Sequence, residues 1–419
     1  MITWQFNWDC DKAFYPEGVT RCGLDKFFPV LVVGGLMLLF GTVSVFLILW
    51  KGLSITGMDD YFPFGLWIVM DLAIIALGAG AFFTGFLTYY LKRQETKPIA
   101  NAAVLIGFVC YLSAVLLLGL DIGQPVRGWF IFWHANVHSM LTEVSYCITT
   151  YLAVLAIEFL PSLLENRVLS RNKEIHTTAH NFHEYMFIFA GVGAFLSFFH
   201  QGSLGGMFGV LYARAFAFRE GFGIWPWTFF LFIWSAIAAG PAFTNLVVTF
   251  TEKVVGKKLI PYSTKMFYGK IVAWTYLTYM IAKSADTIYW ALVTLPRMGI
   301  TMSQLYAEGP YGMWLVWLEL GVCGWLPAVA LLFHKVRANP YWLITMMSLV
   351  TIGAVLNRFV FVILTLAIPV LPFERFESYM FTWPELGICL LVVGLSVLIY
   401  GIAYRYMPIF PKERELNQV

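Results

Sequence analysis

Long apolar segments recur along the whole chain and constrain its fold more than any other feature. A helix needs about 20 predominantly apolar residues to cross the hydrocarbon core of a bilayer. By that criterion we predict ten spans, at about 27–50, 62–91, 99–120, 135–160, 180–200, 226–251, 268–295, 313–333, 341–366 and 384–406. Hydrophobic residues make up 60% of the 419 residues and charged residues only 12%, unlike a soluble domain. The sequence therefore predicts an all-α, polytopic membrane protein.

Charge and cysteine content exclude several functional classes. The formal net charge of +3 is too small to indicate a nucleic-acid partner. The six cysteines include no CxxC pair and no Cys/His cluster, so we expect no iron-sulfur cluster and no metal site in this chain. The first 26 residues are mixed and polar, which is not typical of a cleaved signal peptide, and we expect the first span to be retained.

Basic residues are sorted between the two sides of the predicted membrane. Of the 27 Lys and Arg residues, 18 fall in the two tails and in alternate connections, six fall in the other connections and three lie within spans. The side richer in Lys and Arg normally faces the cytoplasm. We therefore expect a bacterial inner-membrane protein with both termini in the cytoplasm. The turn 121–134 and the loops 201–225, 296–312 and 367–383 would then face the periplasm.

The stretch from Asp121 to Glu143 is the densest in polar groups beside the predicted spans. Trp129 belongs at a membrane interface, whereas His138 and Glu143 lie just inside the fourth span, where an ionisable side chain is costly. A quinone head group needs hydrogen-bond donors at its carbonyl oxygens and a source of protons, and a His or a carboxyl group can supply both. We interpret this stretch, with Arg127, as part of a quinone site; the alternative is that Glu143 pairs with a neighbour for structure.

A stripe of hydroxyl groups continues along the fourth span towards the cytoplasmic side. Its members are three to four residues apart and are Thr142, Ser145, Tyr146, Thr149 and Thr150. We predict that Glu143 passes a proton to reduced quinone and that Tyr146 and Thr149 help to replace it. The alternative is that these hydroxyls only bond to the backbone of their own helix.

Charged residues in the later spans form a second group. Lys283 and Asp286 are three residues apart on one helix, close enough to pair with each other. Glu319 and Arg358 lie at similar depth on consecutive spans, and a deep Arg needs an acidic or carbonyl partner. We expect Arg358 to pair with Glu319 or Asp286. The four residues are predicted either as a second proton path or as plain structural ion pairs.

His200 ends the fifth predicted span and opens the Gly-rich segment HQGSLGGMFG. Glycine lets the backbone approach a ligand or a partner closely. The same composition is equally typical of a flexible loop.

Six pieces of sequence, in a fixed order between Phe64 and Ile388, resemble the NrfD/PsrC family of integral membrane subunits. That family exchanges electrons between quinone and periplasmic redox partners. The pieces are GLWIVMDLAIIALGAGAFF with Asp71, DIGQPVRGW with Asp121 and Arg127, HQGSLG with His200, WLELGVCGWLP with Glu319, GAVLNRF with Arg358, and TWPELGI with Glu385. The ten-span count is similar to the longer branch of the family.

The resemblance implies two four-helix bundles, formed by spans two to five and six to nine, with one flanking helix at each end. The corresponding divisions are 1–61, 62–225, 226–366 and 367–419. It also implies a quinone pocket at the periplasmic edge of the first bundle, beside a ferredoxin-like iron-sulfur subunit. Further periplasmic subunits would be a multihaem cytochrome c or a molybdopterin-family protein. Because HANVHSM departs from the Asn-Pro-type sequence of many relatives, His138 rests on the physical argument alone.

The leading interpretation is a quinone-reducing or quinol-oxidising membrane subunit of a respiratory oxidoreductase complex. Menaquinone would be its substrate, proton transfer would accompany electron transfer, and the chain would carry no haem or iron-sulfur cluster of its own. The predicted catalytic residues are Asp71, His138 and Glu143. The predicted quinone-binding residues are Asp121, Arg127, Trp129, His200 and Ser203. The predicted proton path comprises Tyr146, Thr149, Lys283, Asp286, Glu319 and Arg358.

Two alternatives stay open. A b-type cytochrome could hold a haem between His138 and His200, which lie at similar predicted depth on consecutive spans. A secondary transporter would instead place its substrate site near the midplane on broken helices.

Overall fold

The structure is a computed structural model that describes residues 24–122, 125–165, 169, 172–222, 225–307, 314–371 and 374–410. Both tails, including Cys10 and Cys22, lie outside the described residues, as do Gly123 and Gln124 of the DIGQPVRGW piece and the loop residues Arg167 and Arg171.

Ten main helical segments follow the ten predicted spans, and we number them in chain order. They are α1 (Leu24–Lys51), α2 (Leu66–Tyr90), α3 (Lys97–Asp121), α4 (Met140–Leu164), α5 (Lys173–Gly209), α6 (Trp227–Val255), α7 (Tyr262–Tyr289), α8 (Trp317–Ala330), α9 (Pro340–Ala367) and α10 (Trp383–Tyr406). Segments of π-helix occur at Phe86–Tyr90, Trp290–Thr294, Trp317–Trp325 and Val360–Leu364. Short helices lie at Leu53–Ile55, Gln94–Thr96, Pro125–Arg127, Phe130–Trp133, Met302–Ala307 and His334–Ala338, and a two-stranded hairpin joins β1 (Gly221–Phe222) to β2 (Trp225–Pro226).

Within the described residues, eight of these helices are long and apolar enough to cross a membrane, all except α7 and α8. The predicted all-α, polytopic class is confirmed. The predictions at 268–295 and 313–333 correspond to helices that do not meet both criteria alone: α7 is 28 residues long but polar, and α8 is apolar but short. Their polar groups face each other inside the protein, so these two helices need less apolar surface than a helix surrounded by lipid.

The helices pack in two groups. In the first, α2 packs on α3, α3 on α4, α4 on α5, and α5 returns to α2; in the second, α6 contacts α7 and α9, and α8 contacts both α7 and α9. Helix α6 also packs on α2 and α5, and α9 packs on α2, which joins the groups. Helix α1 packs along α10. The division of the chain at residues 61, 225 and 366 stays a prediction.

Glycine allows α2 and α6 to cross closely where the two groups meet. A Cβ added to Gly80 would lie 2.2 Å from Thr244 Oγ1 and 2.7 Å from the carbonyl oxygen of Gly240, and a Cβ added to Gly240 would lie 2.2 Å from the Gly80 nitrogen. Lipid tails are as apolar as the helix surfaces, so there is no hydrophobic driving force for two helices to associate in a membrane. Small residues at a crossing let the helices associate through close van der Waals contact instead. Any larger residue here would push the two groups apart.

Glu385 ties the start of α10 to the loop before α2. Its carboxylate accepts hydrogen bonds from the Gly57 N–H (2.8 Å), from the Thr382 N–H (2.8 Å) and hydroxyl (3.0 Å), and from the Tyr379 hydroxyl. Burial and the bond to Glu385 raise the pKa of Tyr379, so its hydroxyl remains a donor. Glu385 is fully buried. This carboxylate is therefore satisfied within the chain.

Candidate functional site

A buried polar set lies inside the first group of helices. Helices α2, α3 and α4 each contribute one member and α5 contributes four, and none of the seven is more than 3% exposed. The members are Asp71, Tyr111, Tyr151, Ser197, His200, Gln201 and Ser203. Burying so many polar side chains in a membrane bundle is costly unless they bond to one another or to a ligand.

Gln201 connects three of these helices. Its Nε2 donates to the carbonyl oxygen of Ile75 in α2 at 2.8 Å and to the hydroxyl of Tyr111 in α3 at 3.4 Å. Ile75 lies four residues, about one helical turn, after Asp71. The Gln201 side chain therefore holds α5 against the part of α2 that carries Asp71.

Tyr111 connects α3 to α4 and α5. Its hydroxyl is 2.9 Å from Ser197 Oγ. Its ring packs edge-on against Tyr151, with centroids 4.5 Å apart, and its centroid lies 5.8 Å from that of the His200 ring. The HQGSLG piece thus forms the last part of α5 and lies inside the bundle; the alternative reading of it as a flexible loop is wrong.

Six atoms of this set have no hydrogen-bond partner among the described residues. They are Asp71 Oδ1, the Tyr151 hydroxyl, both ring nitrogens of His200, Gln201 Oε1 and the Ser203 hydroxyl. A buried polar atom without a partner costs about 1–3 kcal/mol, and native interiors contain few. Six in one region fit a site that binds a polar ligand or ordered water.

Asp121 lies at the end of α3, on the same side as Asp71. The Trp67 indole N–H donates to Asp121 Oδ1 at 2.8 Å. Trp67 is one turn before Asp71 on α2, and positions four apart share a helix face. Asp121, at the end of α3, therefore lies against the same face of α2 that carries Asp71, one helical turn nearer the start of α2.

The predicted residues of the α3–α4 connection lie outside the buried set. Arg127, Trp129 and His138 are exposed, and Glu143 is half-buried in the first turn of α4. The His138 N–H donates to Asn136 Oδ1 at 3.0 Å within this connection. The structure thus buries Asp71, His200 and Ser203 inside the first group of helices and leaves these four residues outside that buried set, and the roles of all seven stay predictions.

The hydroxyl stripe of α4 is exposed at the positions predicted to carry protons. Tyr146 is 40% exposed and its hydroxyl donates to the Phe132 carbonyl oxygen at 2.7 Å. Thr149 is exposed and donates to the Ser145 carbonyl oxygen of its own helix at 2.8 Å. Thr149 thus makes the bond to its own helix backbone that the structural alternative predicted. A path along this face stays a prediction, and it would need a partner or lipid to cover it.

A second cluster lies among α6 to α9. Lys283 of α7 forms an ion pair with Glu319 of α8, and the Asn357 side-chain amide donates to the same Glu319 Oε1 at 2.7 Å. Arg358 Nη1 donates to Asn357 Oδ1 at 2.6 Å. The cluster therefore runs from α7 through α8 to α9.

The predicted pairing of Lys283 with Asp286 is wrong. Asp286 accepts from Arg219 Nε at 2.9 Å, and Arg219 comes from the segment after α5. The Arg219 guanidinium also lies 4.8 Å from the centroid of the Trp290 ring. The two side chains on α7 are close in sequence, yet Lys283 meets α8 and Asp286 meets this segment, because each finds a better-placed opposite charge on another element.

The predicted direct pairing of Arg358 with Glu319 or Asp286 is also wrong. Arg358 is fully buried, and besides Asn357 it donates to Ser235 Oγ at 2.9 Å. Its guanidinium lies 3.7 Å from the centroid of the Phe232 ring. Asn357 therefore stands between Arg358 and Glu319, and neutral groups of α6 complete the shell.

A cavity of about 70 Å³ lies between the two ion pairs. Its lining includes Arg219, Lys283, Asp286, Tyr306, Glu319 and Asn357. Burial raises the pKa of Tyr306 to about 12, so this hydroxyl stays protonated at neutral pH and can donate a hydrogen bond. The cavity has charged and polar side chains in part of its wall and is large enough for a few ordered waters. Three of the four π-helical segments adjoin it, and such segments are frequent at functional sites.

Sequence reasoning missed four residues that organise these clusters: Tyr111, Tyr151, Gln201 and Arg219. Gln201 had a signal, because it follows His200 in a piece already quoted for the resemblance. Tyr111 and Tyr151 had none, since an isolated Tyr in an apolar span is as typical of packing as of function. Within the described ranges, no group of three or more His, Cys, Asp or Glu side chains is arranged to hold a metal ion.

Comparison with known proteins places the chain in a family. The model of the family described as "Polysulphide reductase, NrfD" matches residues 54–369. The chain is 51% identical over 414 residues to the menaquinone reductase integral membrane subunit of Nitratidesulfovibrio vulgaris, covering 99% of both chains. It is 23% identical over 408 residues to the probable Ni/Fe-hydrogenase 2 b-type cytochrome subunit of Escherichia coli, covering 93% of this chain and 95% of that one. The predicted resemblance is confirmed: the chain belongs to the NrfD family of integral membrane subunits.

Proposed function

We propose that this chain is the integral membrane subunit of a menaquinone reductase, the role of the relative with 51% identity. Menaquinone is its substrate and binds at the buried polar set around Asp71 and His200. Electrons arrive from a redox partner that docks on the side of the α3–α4 connection. In this proposal that side is the periplasm, and both termini lie in the cytoplasm of a bacterial inner membrane.

The observation that carries this proposal is the group of six unpaired polar atoms inside the first group of helices. A quinone presents two carbonyl oxygens at opposite ends of a flat, apolar ring, so it needs two donors in an otherwise apolar wall. Asp71 and His200 can each present a donor, and Ser203 adds a hydroxyl. Aromatic rings of Tyr111 and Tyr151 supply flat apolar surface beside them.

Reduction of a quinone to a quinol takes two electrons and two protons, with one proton added to each carbonyl oxygen. A carboxyl group or an imidazole positioned at each oxygen can deliver that proton. In this chain we assign the two positions to Asp71 and His200. Asp121, held by Trp67 nearer the helix end, would then return a proton to Asp71.

An exposed apolar segment supports the proposal that the electron-donating partner docks at the α3–α4 connection. In the connection between α3 and α4, Val126, Trp129, Trp133 and Val137 are 52–89% exposed. Exposed apolar clusters of this kind are typical of protein interfaces. A ferredoxin-like iron-sulfur subunit seated here would approach the buried set from the Asp121 end, and a multihaem cytochrome c or molybdopterin-family protein would supply that subunit with electrons.

Lys283, Asp286, Glu319 and Arg358 form a second proton path in this proposal. The cavity between the ion pairs supports it, because ordered waters there would link the Glu319 pair to the Asp286 pair. In proteoliposomes of known orientation, proton uptake during quinone reduction should come from the compartment facing the cytoplasmic loops. Uptake from the periplasmic side alone would leave this cluster with a structural role.

The function is tested by quinone turnover of the purified complex with Asp71→Asn, His200→Gln or His138→Ala. We expect a strong loss of turnover with normal amounts of complex for Asp71→Asn and His200→Gln. Asp60→Asn, an exposed acid just before α2, is the matched control and should keep turnover. A haem absorption band that disappears in His138→Ala and His200→Gln would instead establish the b-type cytochrome alternative.

A further inference from the structure

A large apolar groove lies between the α1–α10 pair and the facing parts of α2, α3 and α6. Its volume is about 540 Å³. Helices α1, α2, α3, α6 and α10 all contribute to its walls, and representative residues are Val30, Met70, Ile74, Val247, Phe250 and Val397. Phe250 is 69% exposed, so the groove opens to the surrounding lipid. None of the residues assigned above to quinone or proton chemistry lines it.

The groove is as long as one leaflet of a bilayer is thick. On α6 its lining runs from Phe243 to Val255, and on α10 from Val393 to Tyr404. At about 1.5 Å per residue these stretches are about 18 Å and about 16 Å long. Half of a hydrocarbon core of about 30 Å is about 15 Å. An acyl chain of one leaflet therefore matches the groove in length.

The groove has a basic end. Lys26 lines it there, and its Nζ donates to the Val255 carbonyl oxygen at 2.9 Å, which uses one of three ammonium donors. Three more lysines are exposed at or just beyond the end of α6: Lys253, Lys257 and Lys258. This is the end of the helix where lipid head groups would lie if the groove spans one leaflet.

One acid near this end, Glu252 in the last turns of α6, is already neutralised. Glu252 forms an ion pair with Lys265, and its Oε1 accepts from the Leu259 N–H at 2.9 Å and the Ile260 N–H at 3.2 Å. Lys26, which lines the groove, and the exposed Lys253 and Lys258 at the end of α6 place basic side chains at this end. Basic pockets between membrane helices on the cytoplasmic side are typical sites for anionic phospholipid head groups.

We propose that the groove binds an anionic phospholipid, with an acyl chain along α6 and α10 and the phosphate at Lys26. The apolar walls match the chain, the length matches one leaflet, and the basic end matches the charge of the head group. The bound lipid adds contacts between the α1–α10 pair and α6, which the Lys26–Val255 hydrogen bond and the Thr251–Tyr400 hydrogen bond (3.0 Å) already join. It thereby adds van der Waals contact where the α1–α10 pair and the two groups of helices meet. This proposal does not depend on the quinone chemistry.

The test measures lipid retained by the purified complex. Delipidated complex in detergent is incubated with phosphatidylglycerol, cardiolipin or phosphatidylcholine, and native mass spectrometry counts the bound lipids while a melting curve gives their stabilising effect. We expect retention of phosphatidylglycerol or cardiolipin, a higher melting temperature with either, and little effect of phosphatidylcholine.

Two variants locate the site. Val397→Trp fills the middle of the groove and should abolish retention, whereas Ile402→Trp, on an exposed face of α10 outside the groove, should keep it. Lys26→Gln keeps a donor for Val255 but removes the charge, and should weaken retention about fivefold, the effect of one basic residue at an anionic lipid. Lys51→Gln, at the opposite end of α1, is its control.

Three outcomes would overturn the proposal. Equal retention of phosphatidylcholine would show a non-specific lipid contact. Unchanged retention in both Val397→Trp and Lys26→Gln would place the bound lipid elsewhere. If Val397→Trp displaces menaquinone and not phospholipid, the groove is a channel for the quinone tail.

Discussion

The two groups of helices differ in how their buried acidic side chains are paired. In the second group, Lys283 is paired with Glu319, and Asp286 is paired with Arg219. In the first group, Asp71 and His200 are just as deeply buried and leave three polar atoms without partners among the described residues. Both groups lie in the same membrane protein, and the contrast supports the proposal that the first group binds a ligand.

The contrast indicates a division of labour. A buried charge with its partner on the next helix is complete within the chain, so such a pair stabilises one arrangement of helices or passes a proton through water beside it. A buried group without a partner must gain one from outside the chain. The first group is therefore the one suited to a ligand, and the following predictions test this comparison in order of expected effect.

Asp71→Asn should lower quinone turnover by about 10²–10⁴-fold, because an amide cannot supply the proton that a carboxyl group supplies. The amount of assembled complex should stay normal, since the unpaired Oδ1 leaves no bond within the chain to break. Steady-state turnover and the yield of complex are measured together. A fall in yield that parallels the fall in turnover would return Asp71 to a structural role.

Glu385→Gln makes the same chemical change at a satisfied carboxylate. We expect the reverse outcome, a lower melting temperature and less assembled complex, because the amide loses the negative charge to which five donors bond. Each hydrogen bond to a charged group contributes about 1.5–3 kcal/mol. Turnover per assembled complex should change little, and a large specific loss there would argue against the contrast with Asp71.

Lys283→Met should destabilise the complex by about 3–5 kcal/mol, because Glu319 is left as a buried charge. Adding Glu319→Leu should recover most of that loss, since an apolar pair is tolerated where a lone charge is not. The control is Arg297→Met, whose pair with Glu220 is 63% and 42% exposed and should contribute less than about 1 kcal/mol. If Lys283→Met and Arg297→Met lower the free energy of unfolding equally, the argument from burial is contradicted.

Glu319 and Arg358 should couple more weakly than Glu319 and Lys283. Asn357 stands between them, so the interaction is indirect. A double-mutant cycle on unfolding should give about 0.5–1 kcal/mol for the indirect pair and about 2–3 kcal/mol for the direct one. If the indirect pair couples as strongly as the direct one, Arg358 contacts Glu319 directly in the native complex.

Tyr146→Phe and Thr149→Val should have the smallest effect, below about 0.5 kcal/mol on the free energy of unfolding, and turnover per assembled complex should change little. Both hydroxyls are exposed and bond to nearby carbonyl oxygens. Turnover and proton uptake in proteoliposomes provide the measurement. A tenfold loss of proton uptake would show that a partner or lipid covers this face and that the path along α4 carries protons.

The sequence by itself determined the position of the helices and the family. A bilayer leaves no water for backbone groups to bond with, so an apolar stretch of sufficient length has to be helical wherever it occurs. That argument needs no neighbours, and it placed all ten segments, including α7 and α8, which do not meet the span criteria alone. The ordered motifs around Asp71, His200 and Arg358 were likewise readable without a structure, because they follow one another along the chain.

Only the tertiary structure decided which of these residues meet. Helical spacing gives the face on which a side chain lies, but the helix that it faces depends on packing. For that reason Lys283 pairs with Glu319 rather than with Asp286, three residues away, and Arg219 supplies the missing partner. The same dependence put the α4 stripe on an exposed face and assembled Gln201 with Tyr111, since burial is a property of the packed bundle and not of any one helix.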